Sequence, residues 1–288
     1  MPSSATLPGL VGHRGARGLF PENTVEGFRA ALAWGLRAFE IDVALTRDGV
    51  VVLSHDARLD PDITRAPGGV WLDGPGPAIA GSTLQELQAY DVGRIRPGSA
   101  TDRCFPAQAS IDGARIPRLA EVLRLDARVH WTIEIKTFPS HPALTARPEA
   151  IADHVAAIAD AAGATDRIIV QSFDWRGPRH LRRRRPDLRT AWLTCAATST
   201  APWWDRPTAP SWPEAVAAEG GGAWSPDHTE LNRRDLDAAH RLGLRVVPWT
   251  VNEPADAQRL AEWGVDGLIT DRPDVLRDAL RPRPSPAR

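Results

Sequence analysis

Lysine is almost missing from this chain. Of 35 basic residues one is a lysine, Lys136, and all the others are arginine. Cysteine is nearly absent too. Cys104 and Cys195 lie far apart with no metal-ligand spacing, which excludes a disulfide framework and a thiolate cluster and fits a reducing compartment. No segment approaches the ~18 consecutive apolar residues of a membrane span. The first ten residues lack the basic and apolar regions of a secretory signal. These absences predict a cytoplasmic protein without stable membrane insertion. A formal net charge of −1 over 288 residues gives no field that would gather a nucleic acid. The oligomeric state is not fixed by any of these features.

What is present is a rhythm. Short apolar runs of β character cover 10–13, 38–45, 130–136, 168–173, 190–194, 223–225, 246–251 and 267–270. Helical periods lie between most of them, among them 26–34, 149–161, 233–242 and 255–263. Asn23-Thr24-Val25-Glu26 offers an N-cap with an acidic residue at N3, and Glu253-Pro254 puts proline in a first turn. Gly35, Gly163, Gly243 and Gly264 follow helical runs, where a left-handed cap is wanted. Eight β-then-α units predict an α/β protein, a (β/α)8 TIM barrel forming one domain over 8–280. The glycine fingerprint of a dinucleotide-binding, doubly wound sheet is missing.

Two segments break the rhythm. Thr46-Arg47-Asp48-Gly49 predicts a hairpin, with 50–53 running back towards His55. Residues 57–115 follow, rich in Gly, Pro and Asp with one helical piece at 83–90, and are expected to form a small subdomain inserted after strand two. The second segment, 195–213, carries Trp203, Trp204 and Trp212 among prolines and is expected over the barrel mouth. The tail, 281–288, is proline-rich and expected to be disordered.

Charged pairs interrupt the apolar strands. In a strand, residues i and i+2 share a face, so Glu40 pairs with Asp42, and Glu134 with Lys136. Burying such pairs costs several kcal/mol unless they are compensated. A cation together with an anionic ligand would compensate them. His13 closes strand one and His55 follows the hairpin, and TIM barrels carry their sites at strand C-terminal ends. Each group alone has an ordinary reading: a structural histidine, a carboxylate pair tied to arginine, a solvated Glu-Ile-Lys edge. Together they describe one site. Three carboxylates, Glu40, Asp42 and Glu134, suit one hard divalent cation, Mg²⁺ or Ca²⁺. Arg14 and Lys136 are placed to hold the oxygens of a phosphate. A histidine pair suits proton transfer near neutral pH.

Other residues have two readings each. Trp249 walls the pocket or fills the barrel. Gln171 binds substrate or joins an inner polar layer. His228 reaches the mouth or the solvent. Asp271 ties Arg272 or a helix start. The arginines at 182–185 form a solvated helix end rather than a nucleic-acid patch.

The motifs His13-Arg14-Gly15, Pro21-Glu22-Asn23-Thr24, Glu40-x-Asp42, Asp48-Gly49 with His55-Asp56, Ile116-Pro117, Glu134-Ile135-Lys136, Gln171-Ser172-Phe173, Trp249-Thr250-Val251-Asn252 and 266–273 occur in that order. The chain thereby resembles the glycerophosphodiester phosphodiesterases of the cytosolic bacterial type, over about 10–276. The resemblance implies a barrel with an inserted subdomain and a divalent metal on Glu40, Asp42 and Glu134. It implies His13 and His55 as the catalytic pair, here assigned as general base and general acid. It also implies hydrolysis of small glycerophosphodiesters to glycerol 3-phosphate and an alcohol. The nucleophile is the glycerol 2-hydroxyl, favoured by its tethering, or water. The Trp-rich loop would then limit the size of the alcohol. Two other readings stand beside this one. Phospholipase D-like or lysophospholipase D-like cleavage of lipids would need an interfacial patch, for which Trp203 and Trp204 are the candidates. A non-catalytic phosphodiester-binding barrel would be favoured by a lost histidine or carboxylate, and none is lost.

Overall fold

The computed structural model describes residues 9–198 and 209–281. The chain forms β1 (Gly9–His13), α1 (Val25–Trp34), β2 (Ala38–Leu45), β3 (Val51–Leu53), α2 (Leu84–Leu87), α3 (Ala100–Cys104), α4 (Leu119–Val122), β4 (His130–Ile135), α5 (Pro148–Ala161), β5 (Ile168–Ser172), α6 (Arg176–Arg184), β6 (Arg189–Thr194), α7 (Trp212–Ala218), β7 (Ala223–Pro226), α8 (Arg233–Arg241), β8 (Arg245–Val246), α9 (Pro254–Trp263), β9 (Gly267–Thr270) and α10 (Pro273–Ala279). The parallel order β8–β7–β6–β5–β4–β2–β1–β9 closes through backbone bonds from Asp266 N to Val246 O, Ile269 N to Pro248 O and Val251 N to Ile269 O. This is the expected (β/α)8 barrel. Among the described residues no helix is long and apolar enough to cross a membrane.

Strand β8 is shorter than the 246–251 run suggested. Pro248 has no N–H to give a ladder, and the chain beyond it joins its neighbours by one isolated bridge, Asp227 with Trp249, and by separate backbone bonds such as Val251 N to Ile269 O. The helical piece expected at 83–90 is a single α-helical turn, α2, capped reciprocally by Thr83 and Glu86. Thr24, not Asn23, caps α1, its side chain accepting from Gly27 N. Trp212 opens α7 rather than closing the preceding loop. Most of that loop, including Trp203 and Trp204, lies outside the described residues, as does the tail from 282.

β3 pairs antiparallel with β2, Val43 opposite Leu53. The hairpin turn has Thr46 N bonded to Val50 O and Gly49 at φ 77°. Beyond β3, Leu59, Ile79, Leu84, Leu87, Val92 and Ile116 pack with Ala44 and Val52 into a small core of their own. The main core fills the space between barrel and helices. There Phe28 of α1, Phe39 of β2 and Trp131 of β4 meet ring to ring at 5.3–5.5 Å, all at most 1% exposed. Truncating a buried aromatic removes its burial and leaves a cavity. Phe28→Ala is therefore expected to destabilise the fold by about 3–5 kcal/mol, read as a fall in the midpoint of urea unfolding at unchanged slope.

Candidate active site

Strand register brings the charged residues together. His13 lies beside Glu40 across β1 and β2. Asp42 lies beside Glu134 across β2 and β4, and Glu134 beside Gln171 across β4 and β5. Since one face of each strand points into the barrel, these side chains converge at the C-terminal end. His55 arrives by another route. Ser54 N donates to Asp42 O at 3.1 Å, which returns the hairpin to β2 and sets His55 at the rim. His13, Arg14, Glu40, His55, Glu134, Lys136, Gln171 and Trp249 all line one cavity of about 140 Å³.

Glu40, Asp42 and Glu134 are buried, with ligand oxygens within 4.8 Å of one another. Burial first, then the charges of Asp42 and Glu134, push the Glu40 carboxyl well above its usual range. Burial would raise Asp42 as well, but Arg14, His55 and Lys136 hold it far below the ordinary carboxylate value. Lys136 Nζ lies 2.8 Å from Glu134 Oε1 and 3.6 Å from Asp42 Oδ1. Burial opposes its charge, and those two carboxylates more than offset that, raising its pKa. Asp42 Oδ1 is buried without a hydrogen-bond partner among the described residues. A lone acceptor of that kind is costly unless something binds it. The donor set and this orphaned oxygen fit a hard divalent cation.

The loop from β1 to α1 supplies the positive side. Arg14, Ala16 and Asn23 take positive φ, 51°, 105° and 52°, a conformation that costs energy outside glycine and clusters at functional sites. Gly15, at φ 98°, sits so that an added Cβ would come within 2.9 Å of the Phe28 ring. The strained turn aims Arg14 Nε at Asp42 Oδ2, 3.3 Å, and Nη1 at Glu22 Oε1, 2.9 Å. Asn23 Nδ2 donates to Asp42 Oδ2 at 3.0 Å. Glu22 is held low by Arg14 and Arg17 despite its burial.

His13 Nδ1 lies 2.6 Å from Asp271 Oδ1, and Nε2 lies 3.8 Å from Glu40 Oε2. Burial lowers the His13 pKa, and the bond to Asp271 opposes that. His55 Nδ1 lies 2.9 Å from Asp56 Oδ1. Trp249 forms one wall, its Nε1 donating to Ser225 O at 2.9 Å and its ring meeting Phe173 edge-on at 5.3 Å.

The family profile for the glycerophosphoryl diester phosphodiesterase family matches residues 13–275. The chain belongs to that family. A Bacillus subtilis protein provisionally named glycerophosphodiester phosphodiesterase YhdW is 31% identical over 268 residues, covering 93% of this chain and 96% of its own. A second B. subtilis protein, named glycerophosphodiester phosphodiesterase, is 28% identical over 271 residues, covering 92% and 84%. A crystal structure from Silicibacter pomeroyi, provisionally named a glycerophosphoryl diester phosphodiesterase, superposes with a TM-score of 0.87 at 39% identity, covering 97% of this chain and 94% of that one. As a family member the chain is a phosphodiesterase.

Of the nine residues singled out in the sequence, eight line the one cavity, and the ninth, Asp42, lies with Glu40 and Glu134. The remaining expectations fare differently. Asp271 does not tie Arg272, which pairs instead with Asp274 at 2.9 Å. It faces His13. His228 neither lines the cavity nor points freely into water. It backs the Trp249 loop, Nδ1 3.2 Å from Trp249 O and Nε2 3.6 Å from Asp256. The arginines at 182–184 form the last turn of α6, as expected. Glu22, Arg17 and Asn252 carry no role in the sequence reading, and Asn23 only that of a helix cap. Their signal was there for Glu22, Asn23 and Asn252, as polar residues inside family motifs, but only the fold shows what they touch.

Proposed function

We propose that this phosphodiesterase hydrolyses glycerophosphodiesters to glycerol 3-phosphate and an alcohol, with His13 as general base and His55 as general acid. One observation carries the reading. Two histidines, two cations and two carboxylates line a single small cavity, a third carboxylate, Asp42, lies with Glu40 and Glu134, and little other chemistry requires that set. Glu40, Asp42 and Glu134 would hold one divalent cation, Mg²⁺ or Ca²⁺, which supplies positive charge to the phosphoryl oxygens when bound. Arg14 and Lys136 face the same oxygens. Gln171 and Trp249 line the pocket where the glycerol would sit.

His13 Nε2 takes the proton of the attacking hydroxyl, either water or the substrate's own 2-hydroxyl. His55 gives a proton to the departing alcohol oxygen. The side chain of His55 is 32% exposed against 16% for His13, so the acid stands on the solvent side, where an alcohol would leave. Residues 8–280 constitute one catalytic domain, with 57–115 as an insertion within it. Two free cysteines and no membrane-spanning helix among the described residues accord with a cytoplasmic enzyme acting on a small dissolved diester. The expected result is release of glycerol 3-phosphate from glycerophosphocholine, reduced on the order of 10²–10⁴-fold by His13→Ala. A coupled assay for glycerol 3-phosphate reads both. Release of phosphocholine instead, or undiminished turnover in the variant, would overturn the assignment.

A further inference from the structure

The two histidines are not equivalent. Each has a carboxylate at Nδ1, but the carboxylates are held differently. His55 faces its neighbour Asp56, whose side chain is 50% exposed. His13 faces Asp271, which is 258 residues away in sequence and has a side chain only 7% exposed. Asp271 is clamped in turn. Its backbone N–H donates to Asn252 Oδ1 at 2.9 Å, and its Oδ2 accepts from Asn252 Nδ2 at 2.8 Å. Thr270 Oγ1 donates to the same Asn252 oxygen at 3.2 Å. Asn252 thus turns both polar atoms to the end of β9.

We propose, on the reading of His13 as general base, that Asp271 braced by Asn252 is the positioning residue that holds His13 with Nδ1 protonated and Nε2 free. A carboxylate is an acceptor only, so the 2.6 Å bond requires the hydrogen on Nδ1. The lone pair is then left on Nε2, the nitrogen turned towards Glu40 and the cavity. As the O–P bond forms, the hydroxyl O–H bond breaks and its proton moves to Nε2. The P–O bond to the alcohol breaks and that oxygen takes a proton from His55. The imidazolium formed at His13 lies against a buried anion that need not move, so its charge is stabilised where it appears. Asp56, half in water, orients His55 while leaving it open to reprotonation from solvent.

Asp271→Asn tests this. An amide can either accept from Nδ1–H or donate to a bare Nδ1, so it no longer selects one tautomer. The variant and Asn252→Ala are assayed on glycerophosphocholine and on the p-nitrophenyl diester of glycerol phosphate. ¹⁵N-histidine NMR of the resting chain gives the tautomer. The expected result is a fall in kcat on the order of 10²–10⁴-fold for Asp271→Asn, equal on both esters, with KM near wild type. Asn252→Ala shows the same pattern more weakly. The wild-type spectrum shows His13 with its proton on Nδ1, and Asp271→Asn shows that preference lost. A merely structural role would lower folded protein without moving the tautomer. An unchanged kcat, a loss confined to KM, or a wild-type His13 protonated on Nε2 overturns the proposal. If the wild type cleaves neither ester, it is the functional reading that falls, and the spectrum still decides the placement of the proton.

Discussion

Stripping divalent cations with EDTA is expected to abolish diester hydrolysis, and Mg²⁺ or Ca²⁺ to restore it. The reason lies in three carboxylates held within 4.8 Å of one another in a buried site. Arg14 and Lys136 neutralise part of their charge, yet Glu40 remains pushed well above its normal pKa by burial, Asp42 and Glu134. A second result follows from that shift. Where the folded pKa exceeds the unfolded one, the folded chain holds the proton more tightly, so rising pH through that window costs stability. In the metal-free enzyme Glu40 therefore contributes a stability that is full below its ordinary value of 4.5 and drains away as pH climbs towards the raised folded value. Glu40→Gln removes this slope. The metal-free variant should melt above wild type at neutral pH, and should lose the rise in Tm that Mg²⁺ or Ca²⁺ gives to wild type through binding the native state. Calorimetry between about pH 5 and 8, with and without metal, reads both effects. A variant that melts like wild type without metal and still gains from it would remove Glu40 from the cation site.

His55→Ala should discriminate between leaving groups. Choline leaves as a strongly basic alkoxide and needs a proton; nitrophenolate does not. The loss on glycerophosphocholine should reach the order of 10²–10⁴-fold, the usual worth of a general acid. On the p-nitrophenyl diester it should be small. This contrast also separates His55 from Asp271, whose replacement slows both esters alike. Equal losses with His55→Ala would place that residue on the nucleophile's side instead.

Much of this site was legible because period-two alternation is a local property. Glu40 and Asp42, or Glu134 and Lys136, share a face wherever the strand runs, and barrel geometry does the rest. The extent of β8 was misjudged because an apolar run hides the consequence of Pro248, which only matters once the ladder must be built. Asn23 looked like a cap because its type suits one. Thr24 takes that place, and Asn23 adopts positive φ to reach Asp42, a choice made by a carboxylate on the next strand. Asp271 reads locally as a tie to its sequence neighbour Arg272 or to a helix start. Its true partner, His13, stands at the other end of the chain, brought alongside by the pairing of β1 with β9, Gly12 against Thr270. Contacts that depend on barrel closure leave little trace in any short window.

The hairpin of β2 and β3 divides labour between two kinds of scaffold. His13, the three carboxylates, Arg14 and Lys136 ride on barrel strands or the turn directly after one. His55 alone rides on the excursion, tied to β2 at Ser54 and followed at once by a segment with its own small core. That segment also meets the hairpin turn, where Asp48 accepts from Leu84 N at 3.1 Å. Anything that reshapes the excursion beyond His55 alters what stands next to that histidine without touching the strands that carry the carboxylates. On the proposed roles such an arrangement is a ready-made graft point: loops exchanged there would diversify the alcohols accepted while the groups carried by the strands stay in place.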